Sequence, residues 1–170
     1  MRPWLAALLL LTACLHKPWV QAAAGQRTVG IQPGEGVGNV DLGMRAGQVR
    51  RRLGEPSAED RFDGGEVYWT YPWLGLSVRL LDGHAVSFFC YSGLHGGWES
   101  RDYQPFPGTT PAGVGVQSDR AEILATYGPP TRFEPADGAP IPAYWMTYPE
   151  GLGFCLTQRG DRVVYLSLDR

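Results

Sequence analysis

The chain has 170 residues and a formal net charge of -2, so it has no basic surplus with which to hold nucleic acid. With 44% hydrophobic and 19% charged residues it falls in the globular range rather than the disordered one. Its 23 glycines and 14 prolines call for short elements and many turns.

At the N-terminus, Arg2 precedes an apolar run from Trp4 to Leu11 that ends in Leu11-Thr12-Ala13-Cys14. The run is too short to span a bilayer, which takes about 20 apolar residues. It has the length of a signal-peptide core. Its last four residues resemble the lipobox of bacterial lipoproteins. That resemblance implies a signal peptide over residues 1–13, removed before Cys14, and a cysteine thiol that carries lipid with palmitate-type acyl chains. Several such chains hold a protein to a membrane, because each buried methylene contributes about 0.8 kcal/mol. Residue 15 is Leu rather than Asp, which in such lipoproteins implies the outer membrane of a Gram-negative envelope, on the inner leaflet facing the periplasm. Ala22-Ala23-Ala24 is a second cleavage signal, and cutting there would release a soluble secreted protein instead. Residues 14–35 lack periodicity and read as a tether of at most about 70 Å.

An internal repeat follows. Val40-Asp41-Leu42-Gly43, Val49 and Leu53-Gly54-Glu55-Pro56 run parallel to Val114-Gly115-Val116-Gln117, Ile123 and Tyr127-Gly128-Pro129-Pro130. Tyr68-Trp69-Thr70-Tyr71-Pro72 then recurs as Tyr144-Trp145-Met146-Thr147-Tyr148-Pro149, and Leu74-Gly75-Leu76 as Leu152-Gly153-Phe154. Each copy opens on a helix. In the second, Ser118 is placed to cap it and Glu122 favours its positive end, Ile123 and Tyr127 share one face, and Gly128 with Pro129 stops it. The Arg50-Arg51-Arg52 run reads as the solvated face of the first helix.

Strands come next in each copy. Leu74, Leu76, Val78 and Leu80 alternate with smaller or polar residues, Asp82-Gly83 makes a hairpin turn, and Val86, Phe88 and Cys90 continue the pattern. In the second copy Leu152, Phe154 and Leu156 lead through Gly160-Asp161 to Val164, Leu166 and Leu168. The expected fold class is therefore α+β: two tandem repeats, residues 36–91 and 111–170, joined by a connection over residues 92–110. Each would be a short helical segment followed by an antiparallel sheet of about three strands. A unit of some 60 residues buries too little surface to stand comfortably alone, so the two should pack as one body.

Leu42-Gly43-Met44, Val49, Leu53-Gly54-Glu55-Pro56, Trp69-Thr70-Tyr71 and the Asp82-Gly83 hairpin resemble the SmpA/OmlA lipoprotein fold family, small outer-membrane lipoproteins that include a subunit of the barrel-assembly machine. A tandem of such units is similar in architecture to the beta-lactamase inhibitory proteins, whose concave sheet clasps an enzyme. The resemblance implies a binding module.

Catalytic equipment is sparse. His84 adjoins the hairpin turn, His95 lies in the connection, and Glu59-Asp60 and Asp63 belong to a solvated loop, with no second ligand at metal spacing. No zinc-protease, serine-hydrolase, phosphate-loop or paired-cysteine motif is present. The expectation is a non-enzymatic protein without metal or cofactor. Cys90 and Cys155 remain once Cys14 is lipidated, and an export compartment permits a disulfide between the repeats, although two separately buried thiols fit the pattern as well. The binding signal is aromatic. Trp69 and Trp145 read as core, while Tyr71, Trp73, Trp98, Tyr103, Phe106 and Tyr148 are candidates to meet a protein partner. The functional expectation is an envelope lipoprotein that binds a protein as an assembly, scaffold or inhibitor module. The alternative is a small-molecule or cell-wall binder or hydrolase, with a cleft between the repeats.

Overall fold

Alternating apolar residues build most of the elements that form, but not the neighbours expected for them. The computed structural model describes residues 30–94, 102–137 and 141–170. Residues 1–13, Cys14, most of the tether, His95 and Trp98 lie outside these. Three two-residue strands, β1 (Ile31–Gln32), β2 (Gly36–Val37) and β3 (Val40–Asp41), make a small antiparallel sheet. Helix α1 (Ala46–Leu53) leads to β4 (Ala58–Arg61), β5 (Glu66–Tyr71), β6 (Leu76–Leu81) and β7 (His84–Tyr91). Helix α2 (Arg120–Tyr127) leads to β8 (Arg132–Pro135), β9 (Ala143–Thr147), β10 (Leu152–Thr157) and β11 (Val163–Asp169). No helix among the described residues is long and apolar enough to cross a membrane.

Strands β4 to β11 form one antiparallel sheet in the order β4-β5-β6-β7-β11-β10-β9-β8. This corrects the expected α+β pair of helix-plus-three-strand repeats. The chain is mostly β, each helix has only eight residues, and β7 pairs with β11 so that a single sheet runs through both halves. The sequence holds a signal for this. In β7 Phe88, Phe89, Cys90 and Tyr91 are apolar in succession, as are Val163 to Leu166 in β11, and a strand apolar on both faces belongs in the middle of a sheet. Ile31 also leaves the tether to which it was assigned, for it is fully buried in β1. A two-residue strand is too short to show a period.

Two bulges shift the expected core face. In β7 the register jumps from Arg79↔Ser87 to Leu80↔Ala85, so Val86 is the extra residue and Ala85 takes the buried place expected for Val86. In β11 the jump from Cys155↔Tyr165 to Leu156↔Val163 leaves Val164 extra, and Val163 rather than Val164 joins the main core. The core fills the space between one sheet face and the helices, with Val49 and Ile123 fully buried beneath them.

Each helix is tied to the sheet by a tyrosine. The Tyr71 hydroxyl donates to the Gly54 carbonyl at 3.3 Å, and the Tyr148 hydroxyl to the Gly128 carbonyl at 3.1 Å. Both glycines end their helices at positive φ, 86° and 73°, where a side chain would be strained. At the other end of α2 the cap is Asp119, not Ser118. Its carboxylate accepts from the Glu122 amide at 2.9 Å while Glu122 accepts from the Asp119 amide at 3.1 Å. Ser118 accepts instead from Gly115 at 3.3 Å. Asp119→Ala should therefore cost about 1 kcal/mol in denaturant unfolding, and Ser118→Ala clearly less; equal losses would return the cap to Ser118.

Candidate functional site

The sheet face turned away from the helices carries a run of aromatic rings. Phe62 meets Tyr68 edge-on at 5.4 Å between centroids, Tyr68 stacks on Phe89 at 6.1 Å, and Phe89 meets Tyr165 at 6.1 Å. From Tyr165 the run forks to Trp145 at 5.1 Å and to Tyr91 at 5.8 Å. The strands responsible, β5, β7, β11 and β9, place these side chains on one face by simple alternation. Tyr68, Phe89 and Trp145 are half-buried and Phe62 is 57% exposed, whereas Tyr91 and Tyr165 are buried. Spacings of this kind are the offset and edge-on geometries that aromatic pairs favour.

Hydroxyl and charged groups fill the gaps between the rings. Glu66 pairs with Arg79, which also donates to the Ser87 hydroxyl at 3.4 Å. Burial, and then the Glu66 carboxylate, hold the Tyr68 phenol above its ordinary pKa, so it stays neutral at physiological pH. The connection crosses part of this face, with Tyr103 stacked on Tyr91 at 3.8 Å and its hydroxyl 2.8 Å from the Ser77 hydroxyl.

No family profile and no curated protein matches the chain. Solved structures do. A DUF4309 family protein from Bacillus subtilis has a TM-score of 0.53 at 15% identity, over 80% of this chain and 87% of that one. An extracellular protein containing an SCP domain from Bacillus anthracis follows at 0.46 and 10%, covering 75% of this chain and 44% of that one. A cysteine-rich secretory protein from Staphylococcus aureus stands at 0.45 and 11%, covering 75% and 42%. The chain thus spans less than half of those two proteins. The likeness is one of fold alone.

These findings overturn the expected SmpA/OmlA kinship and, with it, the tandem architecture of the beta-lactamase inhibitory proteins. The physical reason lies in the motifs. Leu53-Gly54-Glu55-Pro56 is a helix stop, Asp82-Gly83 a turn, and Trp69-Thr70-Tyr71 a strand with a core face, and any helix followed by hairpins needs all three.

Most residues expected to meet a partner are core residues. Tyr71, Tyr103, Phe106 and Tyr148 are each at most 4% exposed, and Trp73 is partly buried, edge-on to Tyr71 at 5.7 Å. Trp98 lies outside the described residues. Trp69 is buried as expected, but Trp145 stands on the opposite face, at the register position of Tyr68 rather than of Trp69. The residues that do line the outer strip, Phe62, Tyr68 and Phe89, were not assigned to it. Alternation against Trp69 and Phe88 would have found the last two. His84 is exposed, with its ring Nδ1 3.0 Å from the Asp82 carbonyl. Among the described residues no group of three or more His, Cys, Asp or Glu side chains could hold a metal ion.

Cys90 and Cys155 do not pair. Cys90 sits opposite Leu166 and Cys155 opposite Tyr165, which are successive residues of β11 and so point to opposite faces. Two strand spacings, about 10 Å, also separate them, beyond the roughly 7 Å that a disulfide tolerates between Cα atoms. Burial pushes the Cys90 thiol far up and the Cys155 thiol up to about 11, the latter eased by a hydrogen bond with Tyr165. Mass mapping without reductant should find both thiols free, and neither should alkylate at pH 8 until the protein is unfolded. Above pH 9 the unfolded chain releases the Cys155 proton while the native state keeps it, so stability should fall between about pH 9 and 11.

Proposed function

We propose that the protein is a non-enzymatic binding module of the bacterial envelope, and that its aromatic sheet face takes up a polypeptide partner. The observation that carries this reading is the continuous run from Phe62 through Tyr68, Phe89 and Tyr165 to Trp145, in which Phe62 is exposed and Tyr68, Phe89 and Trp145 are half-buried. Amphipathic rings interleaved with hydroxyls and an ion pair match the composition of protein-binding surfaces, where large rigid rings give contact area at low entropic cost. A purely apolar patch would favour aggregation instead. The export reading rests on Leu11-Thr12-Ala13-Cys14: lipid on Cys14 holds the module at the membrane, on the periplasmic leaflet of the outer membrane, with secretion after Ala24 as the competing route.

Two measurements test this. Cys14→Ala should abolish palmitate labelling and move the protein from the membrane pellet to the soluble fraction; unchanged pelleting would refute the anchor. A photocrosslinking residue at Phe62 or Tyr68 should trap a discrete polypeptide in intact cells, and the same residue at Glu122 on α2 should not. Phe89→Ala should remove the crosslink without lowering the melting temperature by more than a few degrees. Crosslinks of equal strength from both faces would refute the strip as the binding surface.

A further inference from the structure

Helix α1 and the residue that caps it carry four arginines, Arg45, Arg50, Arg51 and Arg52, and no acidic side chain. The charge of Arg50 is balanced within the protein, by Glu55 and Glu59. The other three are not. Arg45, Arg51 and Arg52 are exposed, and none of them forms a salt bridge among the described residues. Glu35 and Asp41, in the small sheet, have interactions of their own, none of them a salt bridge to these three. Arg52 donates instead to the backbone carbonyl of Asn39.

Helix stability does not account for this charge. Arg51 and Arg52, in the last turn, suit the negative end of the helix, but Arg45 stands at the positive end, and like charges on one short helix repel. Nor does the architecture require it. Aligning Val49 with Ile123 puts Arg45, Arg51 and Arg52 at the positions of Asp119, Ala125 and Thr126. Helix α2 therefore packs on the same sheet without them, and its one arginine, Arg120, lies 3.9 Å from Asp161. Unbalanced cations mark one helix of the two.

Their place is tied to the point where the tether joins the fold. The Gly38 amide donates to the Gly30 carbonyl at 2.7 Å, and Asn39, the next residue, is the one held by Arg52. The tether therefore meets the fold beside the C-terminal end of α1, and the stretch from Cys14 to Gly30 spans at most about 55 Å. We propose that Arg45, Arg51 and Arg52 rest on anionic lipid headgroups of the membrane that holds the anchor, so that α1 faces the bilayer and the aromatic strip, across the sheet, faces away from it. This rests on the lipid at Cys14 argued above. Three arginines bind an anionic leaflet only weakly alone, but a short tether keeps them at high effective concentration, so the contact sets orientation rather than affinity.

The lipidated full chain, purified from membranes, is placed in vesicles of phosphatidylcholine and phosphatidylglycerol whose headgroups carry a nitroxide quencher. A fluorophore is attached at Gly47→Cys, where an added Cβ meets only the end of Arg51 at 3.8 Å, or at Phe62→Cys on the outer face. Quenching at the first site should exceed that at the second by about twofold or more. The difference should vanish in vesicles of phosphatidylcholine alone, and in about 1 M salt, where screening acts within about 3 Å. It should vanish too in the triple variant Arg45→Gln, Arg51→Gln, Arg52→Gln, while Arg132→Gln on β8 leaves it unchanged; if the triple variant fails to fold, the salt and lipid comparisons decide. A chain that does not float with the vesicles refutes the anchor, and this orientation with it. A chain that floats but is quenched equally at both sites, or keeps the difference without anionic lipid or without the three arginines, overturns the orientation and leaves the anchor standing.

Discussion

The pairing of β7 with β11 is the interaction on which the remaining structure depends. It centres on Phe89↔Ser167, flanked by Cys90↔Leu166 and Phe88↔Leu168, and joins two four-stranded halves whose strand orders mirror each other about this line. Without it each half would expose a long edge, apolar on both faces, to any other chain. With it, the exposed edges are β4 and β8, four residues each. The first carries Glu59, Asp60 and Arg61, and the second Arg132, Glu134 and Pro135. Charge and proline at short edges oppose further pairing, so the sheet is closed to extension.

The same pairing explains why the tyrosines were misread. A single sheet gives one main core on its helix side, and both helices must be held against it by side chains that reach from the strands. Tyr71 and Tyr148 do this from the ends of β5 and β9, where their rings fill the core and their hydroxyls satisfy carbonyls that the helix ends leave open. Burial raises both phenols' pKa, in keeping with neutral donors fixed in place. An aromatic residue in a strand has the same appearance in sequence whether its ring anchors a helix or meets a partner. The difference lies in which face alternation sends it to, and one residue decides that.

Local features were legible for local reasons. Asp82-Gly83 forms the two-residue hairpin between Leu81 and His84, both at positive φ, and Gly54 and Gly128 stop their helices where expected. What failed depended on single-residue shifts or on long-range pairing. The bulges at Val86 and Val164 each move the buried position by one residue. The alignment that equated Trp145 with Trp69, rather than with Tyr68, put a residue on the wrong face. Cys90 and Cys155 were open to pairing only while β11 was not known to lie between them. Each error follows from the period of two in a strand, which turns a shift of one residue into a change of side.

Some positions keep their roles in both halves of the sheet and others have diverged, and this bears on function. Core positions that hold the architecture stay matched: Val49 with Ile123, Tyr71 with Tyr148, and Gly54 with Gly128 all keep their roles. On the helix side several positions differ, among them Ala46 and Arg120, Glu59 and Phe133, Val67 and Tyr144, and Trp69 and Met146. On the outer face the aromatic run crosses the line between the halves at Phe89 and draws Tyr68 from one side and Tyr165 and Trp145 from the other. Neither half could present that run alone. Joining the halves into one sheet therefore makes the extended surface.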